Sequence, residues 1–390
     1  MTALHISPEF PSVLHRIDDL GETLRTSADA AERRGTLDED VAHGLLAAGA
    51  VRASLPASLG GHEFAPHQLI EMIERISHHD AAAGWTMMAL QHITGTTAAY
   101  LDTAAADALC PDVAGGDHAL LAGHGTRPGR AVPLDGGYLV SGSWQFASGM
   151  ALASHVHSLV VVEGSGEPRV LAMPKSQVTL VDNWDVHGLR ATTSIDYHCT
   201  DVFVPAENTY SATTTAPANG GAMYRVGLVN MAAIGHTGWA LGVGRRLLDE
   251  LKSCAAPKFD TPGAAVNTAQ FHAEFATAEA ALRSARAWAM QVWQDVEHTL
   301  DTGESQTTEQ DTMIRLALGN ATRTAQDVGR TAHRWAGTAA IRRGPINRCI
   351  RDLDTGAQHV TSSPVVLQNC GKWLSGAQPQ ARWQFLDLVQ

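Results

Sequence analysis

The stretch FHAEFATAEAALRSARAWAMQVWQDV, residues 271–296, decides the architecture. Within it Phe271, Phe275, Ala278, Leu282, Ala285, Ala289, Val292 and Val296 follow one another at alternating steps of four and three. Side chains three and four apart share one face of an α-helix, so these residues form a single unbroken apolar seam. A seam that long is buried only against other long helices, so the C-terminal part reads as a bundle. Residues 227–254 and 309–335 carry the same period and supply two partner helices.

Toward the N-terminus the texture changes twice. From about residue 119 glycine and proline become frequent and short β-branched runs replace the helical period. Gly136-Gly137 separates Arg130–Leu134 from Tyr138–Trp144 and reads as a hairpin turn. A second hairpin joins His157–Glu163 to Val170–Met173, and Ile195–Pro205 alternates again, with Val202 and Val204 opposite Phe203. A Thr/Ala/Pro/Gly stretch, residues 211–222, ends this block. The first hundred residues are helical. Leu69, Met72, Ile73 and Ile76 line one face, and an alanine-rich segment runs from Ala81 to about Ala108. The expectation is an α+β chain: an N-terminal helical domain over 1–114, a middle antiparallel β domain over 115–215, and a C-terminal helical bundle over 216–390.

The 390 residues are 44% hydrophobic and 17% charged, which excludes a disordered or fibrous chain. A formal charge of −12 without a basic tract argues against nucleic acid or an anionic membrane as partner. No apolar run stands out at the roughly 18–20 residues a bilayer span needs. The N-terminus lacks the basic-then-apolar pattern of a signal peptide, so a cytoplasmic protein is expected. The five cysteines are scattered and never spaced as CxxC, which fits buried thiols.

Several chemistries are excluded by spacing. Gly242-Val243-Gly244 lacks a third glycine and follows a helical stretch, so it is no dinucleotide loop. Neither GxxxxGK[ST] nor GxSxG occurs. The tightest histidine groups, His78/His79 and His155/His157, pair with no second cluster at ligand spacing, so no metal site is expected.

What remains is a set of motifs in a fixed order: Glu32-Arg33-Arg34-Gly35, Pro56 to Gly61, Asp80 to Trp85, and Val140 to Gly149 containing Trp144-Gln145-Phe146-Ala147-Ser148. Then come Trp184 to Ser194, Asp201 to Pro205, Ala336 to Ala340, and Arg348-Cys349-Ile350-Arg351-Asp352 with His359 seven residues after Asp352. Across nearly the whole chain these resemble the acyl-CoA dehydrogenase superfamily, and more narrowly its branch of two-component, reduced-flavin-dependent monooxygenases. That resemblance implies a helix–sheet–helix fold, which agrees with the periodicity. It also implies insertion of one oxygen atom into an aromatic or bulky apolar small molecule through a C4a-hydroperoxyflavin. Molecular oxygen is the co-substrate, and FMNH2 or FADH2 comes from a separate NAD(P)H-dependent flavin reductase. A homotetramer is implied as well.

By the same resemblance His359 and Ser148 are the catalytic residues. Phe146, Ser148 and Trp144 lie beside the flavin, and Trp85 and His92 line the substrate pocket. Dehydrogenases of the superfamily carry a catalytic glutamate soon after the Arg-x-x-Arg-Asp segment. Here that stretch, residues 353–360, has none. An FAD-dependent acyl-CoA dehydrogenase or oxidase with a displaced base is therefore the alternative. FAD-binding relatives often present Gln-x-x-Gly-Gly-x-Gly to the pyrophosphate. The corresponding residues 333–339 keep one glycine and no glutamine, so reduced FMN is favoured over FAD.

Overall fold

The structure, a computed structural model, describes residues 7–390. Six helices open the chain: α1 (Phe10–Asp19), α2 (Gly21–Arg34), α3 (Glu39–Ala48), α4 (Pro66–His79), α5 (Ala81–Tyr100) and α6 (Thr103–Leu109). The alanine-rich segment is thus two helices, not one. Leu101 is extended, and the Asp102 carboxylate accepts the Ala105 N–H, capping α6 as a fresh start. Asp80 does the same for α5, accepting the Ala83 N–H at 2.7 Å.

The middle of the chain forms β1 (Leu121–Leu134), β2 (Gly137–Ala147), β3 (His155–Val162), β4 (Pro168–Pro174), β5 (Thr179–Val181), β6 (Ile195–Pro205) and β7 (Thr209–Ser211), in one sheet of order β5-β6-β2-β1-β3-β4-β7. Both hairpins read from the sequence are present as β1–β2 and β3–β4. The expectation of a wholly antiparallel sheet is corrected, because β1 and β3 run parallel. Residues 148–154 leave the end of β2 and cross beside the start of β1. The chain then re-enters on the far side of β1 and in its direction, Leu121 beside His155. That crossing carries Ser148.

The C-terminal part holds α7 (Gly227–Ala255), α8 (Ala269–Asp301), α9 (Thr308–Ala336), α10 (Pro345–Gly356), α11 (Pro364–Leu374) and a short hairpin, β8 (Arg382–Gln384) with β9 (Asp387–Val389). Of the eight seam residues on α8 all but Phe275 are buried, and Phe275 is half-buried. On α7, Gly238 and Gly242 let α4 approach backbone to backbone. A Cβ would meet Ile70 O at 2.4 Å from the first and Glu74 O at 2.3 Å from the second. Gly242 and Gly244, which fail as a nucleotide loop, are helix-packing residues: a Cβ at Gly244 would meet Leu282 Cδ1 at 3.1 Å and Ala325 Cβ at 3.2 Å. The α7 region, 222–258, contains a window with mean hydropathy 1.2, long and apolar enough on composition to cross a membrane. It is 78% buried here and serves as the core helix of the bundle.

Candidate active site

Sheet, α5, α7 and the α10–α11 connection enclose a cavity of about 1260 Å³. Single small-molecule sites usually occupy roughly 300–1,000 Å³, so two ligands fit side by side. Trp85, His92, Phe146, Ser148, His236 and His359 all line it. Four elements that are far apart in sequence therefore converge on one space.

Ser148 sits in a chain of hydrogen bonds. The Trp85 Nε1–H donates to Ser148 Oγ at 2.9 Å, and Ser148 Oγ lies 2.8 Å from Ser194 Oγ. Ser194 Oγ is 2.6 Å from Thr192 Oγ1, and the Thr192 hydroxyl donates to Leu189 O at 2.8 Å. The loop carrying these residues is tied to α10 from behind. The Leu189 N–H donates to Asp352 Oδ1 at 2.6 Å, and Arg351 donates to His187 O at 2.9 Å. Arg351 also pairs with Glu32, and Arg348 with Asp29, which fastens α10 to α2. Burial pushes the Asp352 carboxyl up to about 7. The Arg-x-x-Arg-Asp segment is thus the support of the cavity wall rather than part of its surface.

Among the described residues five histidines line the same space, and three of them, His92, His236 and His359, come from its helical side. The His236 and His359 rings stack with centroids 4.1 Å apart and planes at 29°, and Trp85 meets both edge-on. The backbone N–H of Thr361 donates to His359 Nδ1 at 3.4 Å, with Thr361 Oγ1 at 2.8 Å. A backbone N–H can only donate, so Nδ1 is an acceptor and the proton of the neutral ring sits on Nε2. Burial holds His92 down at about 4 and His236 well below the usual imidazole range. Were His359 protonated, its charge would lower both further. His92 and His236 are neutral at pH 7. Among the described residues His92 Nδ1 is buried without a hydrogen-bond partner.

The structure separates the residues expected beside a cofactor. Phe146 is 58% exposed, has φ +62 in the left-handed region, and points its ring edge-on toward Trp184 at 6.2 Å. Its N–H donates to Asp196 Oδ1 at 3.2 Å, which holds the kink. A bulky residue strained in this way marks a functional position. Trp144 is corrected. It is fully buried, stacks on Tyr197 at 5.3 Å, donates to Leu159 O at 2.9 Å, and does not line the cavity. The irregularity in the β2–β6 pairing between Trp144 and Ala147 breaks the alternation that would have put Trp144 and Phe146 on one face. Trp85 and His92 both reach the wall, but the Trp85 N–H is committed to Ser148. Among the described residues no group of three His, Cys, Asp or Glu forms a metal site.

Several wall residues carried no sequence signal. His236 is one histidine among 19, in a helix otherwise read as core. Ser194 belonged to a quoted motif without a role. Phe385, Leu386 and Asp387 of the C-terminal hairpin close one side. That hairpin is fixed by Arg315, which donates to Phe385 O at 2.8 Å and stacks 4.3 Å over Trp383.

Comparison with known proteins agrees with this fold. Residues 234–364 match the acyl-CoA dehydrogenase C-terminal domain family. The chain is 29% identical to an indole-3-acetate monooxygenase of Pseudomonas putida over 97% of its length and 96% of that protein. It is 31% identical to the oxygenase component of an FADH2-dependent resorcinol hydroxylase of Rhizobium, over 55% of this chain and 54% of that protein. Among solved structures, the 3-HSA hydroxylase of Rhodococcus superposes with a TM-score of 0.89 at 21% identity, covering 96% of this chain and 99% of that one.

Proposed function

We propose that the chain belongs to the acyl-CoA dehydrogenase superfamily and is the oxygenase component of a two-component flavin-dependent monooxygenase acting on an aromatic small molecule. One observation carries the reading. Trp85 hydrogen-bonds Ser148 and touches His359, so the two residues expected to act sit across one cavity large enough for flavin and substrate together.

The residues present fit a reduced flavin. Phe146 and Trp184 offer aromatic surface for the ring system, and Ser148 offers a buried hydroxyl. Bound there, the flavin supplies the electrons that activate dioxygen. The protein excludes water, so that reducing equivalents reach substrate instead of escaping as hydrogen peroxide. His359 donates from Nε2 to developing negative charge on oxygen. The neutral rings of His92 and His236 accept a hydrogen bond from a substrate O–H or N–H and so orient it.

A separate NAD(P)H-dependent reductase supplies the reduced flavin, and the relative named an oxygenase component supports that division. Reduced FMN is favoured by residues 333–339, while the FADH2-dependent relative favours FAD. A cytoplasmic homotetramer is proposed too. The exposed Ile341, Val365 and Leu374 of the C-terminal part are apolar groups that subunit contacts would cover.

The test is incubation with a flavin reductase, NADH, oxygen and a panel of phenols and indoles, with either flavin. The reading requires a product heavier by one oxygen atom and labelled from 18O2. NADH consumption that yields only hydrogen peroxide across the panel contradicts it.

A further inference from the structure

We propose that Ser194 and Thr192 make the site selective for reduced over oxidised flavin by fixing which way the Ser148 hydroxyl points its proton. This rests on the reduced-flavin reading above and on the family resemblance, which implies that the Ser148 hydroxyl lies near the flavin N5.

The proton order follows from counting donors. The Thr192 hydroxyl has one proton, and it donates to Leu189 O. The 2.6 Å bond between Thr192 and Ser194 must then take its proton from Ser194. Ser194 has none left, so the 2.8 Å bond between Ser148 and Ser194 takes its proton from Ser148. Trp85 is a donor only, and it occupies one acceptor site of Ser148 Oγ. Ser148 therefore presents its remaining lone pair and no proton. Ser148, Ser194 and Thr192 are all buried, and Thr192 lies behind the cavity wall.

That arrangement distinguishes the two flavin states by their chemistry at N5. The reduced ring carries an N5–H, a donor, which the Ser148 lone pair accepts with every bond in the chain intact. The oxidised ring has a bare N5, an acceptor. To donate to it, Ser148 must turn its proton away from Ser194, Ser194 must donate to Ser148, and Thr192 must donate to Ser194. The Thr192 bond to Leu189 O is then lost. Losing one net hydrogen bond is worth between about twofold and tenfold in an equilibrium constant. Leu189 O also accepts from Trp184 Nε1 at 2.9 Å and from the Thr192 N–H at 3.2 Å, which keeps the penalty at that modest size. Ser194 and Thr192 act here as positioning residues through Ser148. Thr192 does not line the cavity at all.

The experiment is anaerobic equilibrium titration of the whole protein with FMN and, separately, with FMNH2. The quantity read is the ratio of the two dissociation constants, oxidised over reduced. Thr192→Val keeps shape and removes the hydroxyl, so Ser194 and Ser148 are free to reverse. The ratio is expected to fall several-fold, and Thr192→Ser is expected to restore it. Ser194→Ala strips the Ser148 proton of its acceptor and lowers the ratio independently, should Thr192→Val fold poorly. Each tenfold fall lowers the midpoint potential of the bound flavin by about 30 mV. A ratio unchanged in both variants overturns the proposal, as does an equal loss of affinity for both states. A wild-type protein that binds neither form contradicts instead the flavin reading on which the proposal rests.

Discussion

The imidazoles of His236 and His359 stack face to face, 4.1 Å between centroids, although their positions are separated by most of the C-terminal bundle. Two rings that close cannot both carry a positive charge cheaply. The Thr361 N–H fixes His359 as a donor from Nε2, and His236 is kept neutral beside it. His92 completes the set from α5. On its helical side the cavity thus presents His359 as an Nε2 donor beside His92 and His236, which burial keeps neutral.

Stability should record this arrangement. His92 titrates near 4 in the folded protein and near 6.5 when unfolded. Between those values the unfolded chain binds a proton that the folded one refuses. The contribution is full above pH 6.5, declines as pH falls from 6.5 to 4, and is level below. Urea midpoints measured from pH 7.5 to 4 should therefore fall less steeply for His92→Asn than for wild type. Parallel curves would remove His92 from the set of buried neutral rings.

Trp144→Phe separates core from site. It removes the Nε1 bond to Leu159 O and part of the stack on Tyr197, at a cost of about 1–3 kcal/mol. Chemical denaturation should show that loss, while flavin affinity stays within about twofold of wild type. A selective loss of flavin binding in a stably folded variant would return Trp144 to the site.

The C-terminal hairpin can be loosened at Trp383, which stacks under Arg315 and donates to Thr312 Oγ1 at 2.9 Å. Trp383→Ala should free residues 382–389 for limited proteolysis and raise the substrate KM, because Phe385 and Leu386 no longer wall the cavity. An unchanged KM with an open hairpin would show that this wall does not touch substrate.

How much of this was legible in the chain depended on the range of the forces involved. The α8 seam and both hairpins were readable because their signals are local: a period of three and four, a Gly-Gly turn. The superfamily motifs were readable in order, and Ser148 and His359, expected from them, line one cavity. The parallel pairing of β1 with β3 was not, since the seven-residue crossing that produces it has no pattern of its own. Trp144 and Phe146 are two apart, and simple alternation gives them a common face. Only the left-handed backbone at Phe146 sends one to the core and the other outward. His236 was hidden for a different reason. A lone polar residue on an apolar helix has no spacing partner, and its neighbours arrive from α5 and from beyond α10.

The central claim is that Ser148 and His359 act together on a reduced flavin in one dry cavity. Stopped-flow mixing of the anaerobic protein–FMNH2 complex with oxygen tests it most directly, followed from 350 to 500 nm in wild type, Ser148→Ala and His359→Ala. The account predicts a transient distinct from both reduced and oxidised flavin in wild type. Each variant should shorten its lifetime at least tenfold or divert the same fraction of electrons to hydrogen peroxide. Immediate single-step reoxidation in wild type, with bleaching of bound FAD by an acyl-CoA under anaerobic conditions, would contradict it.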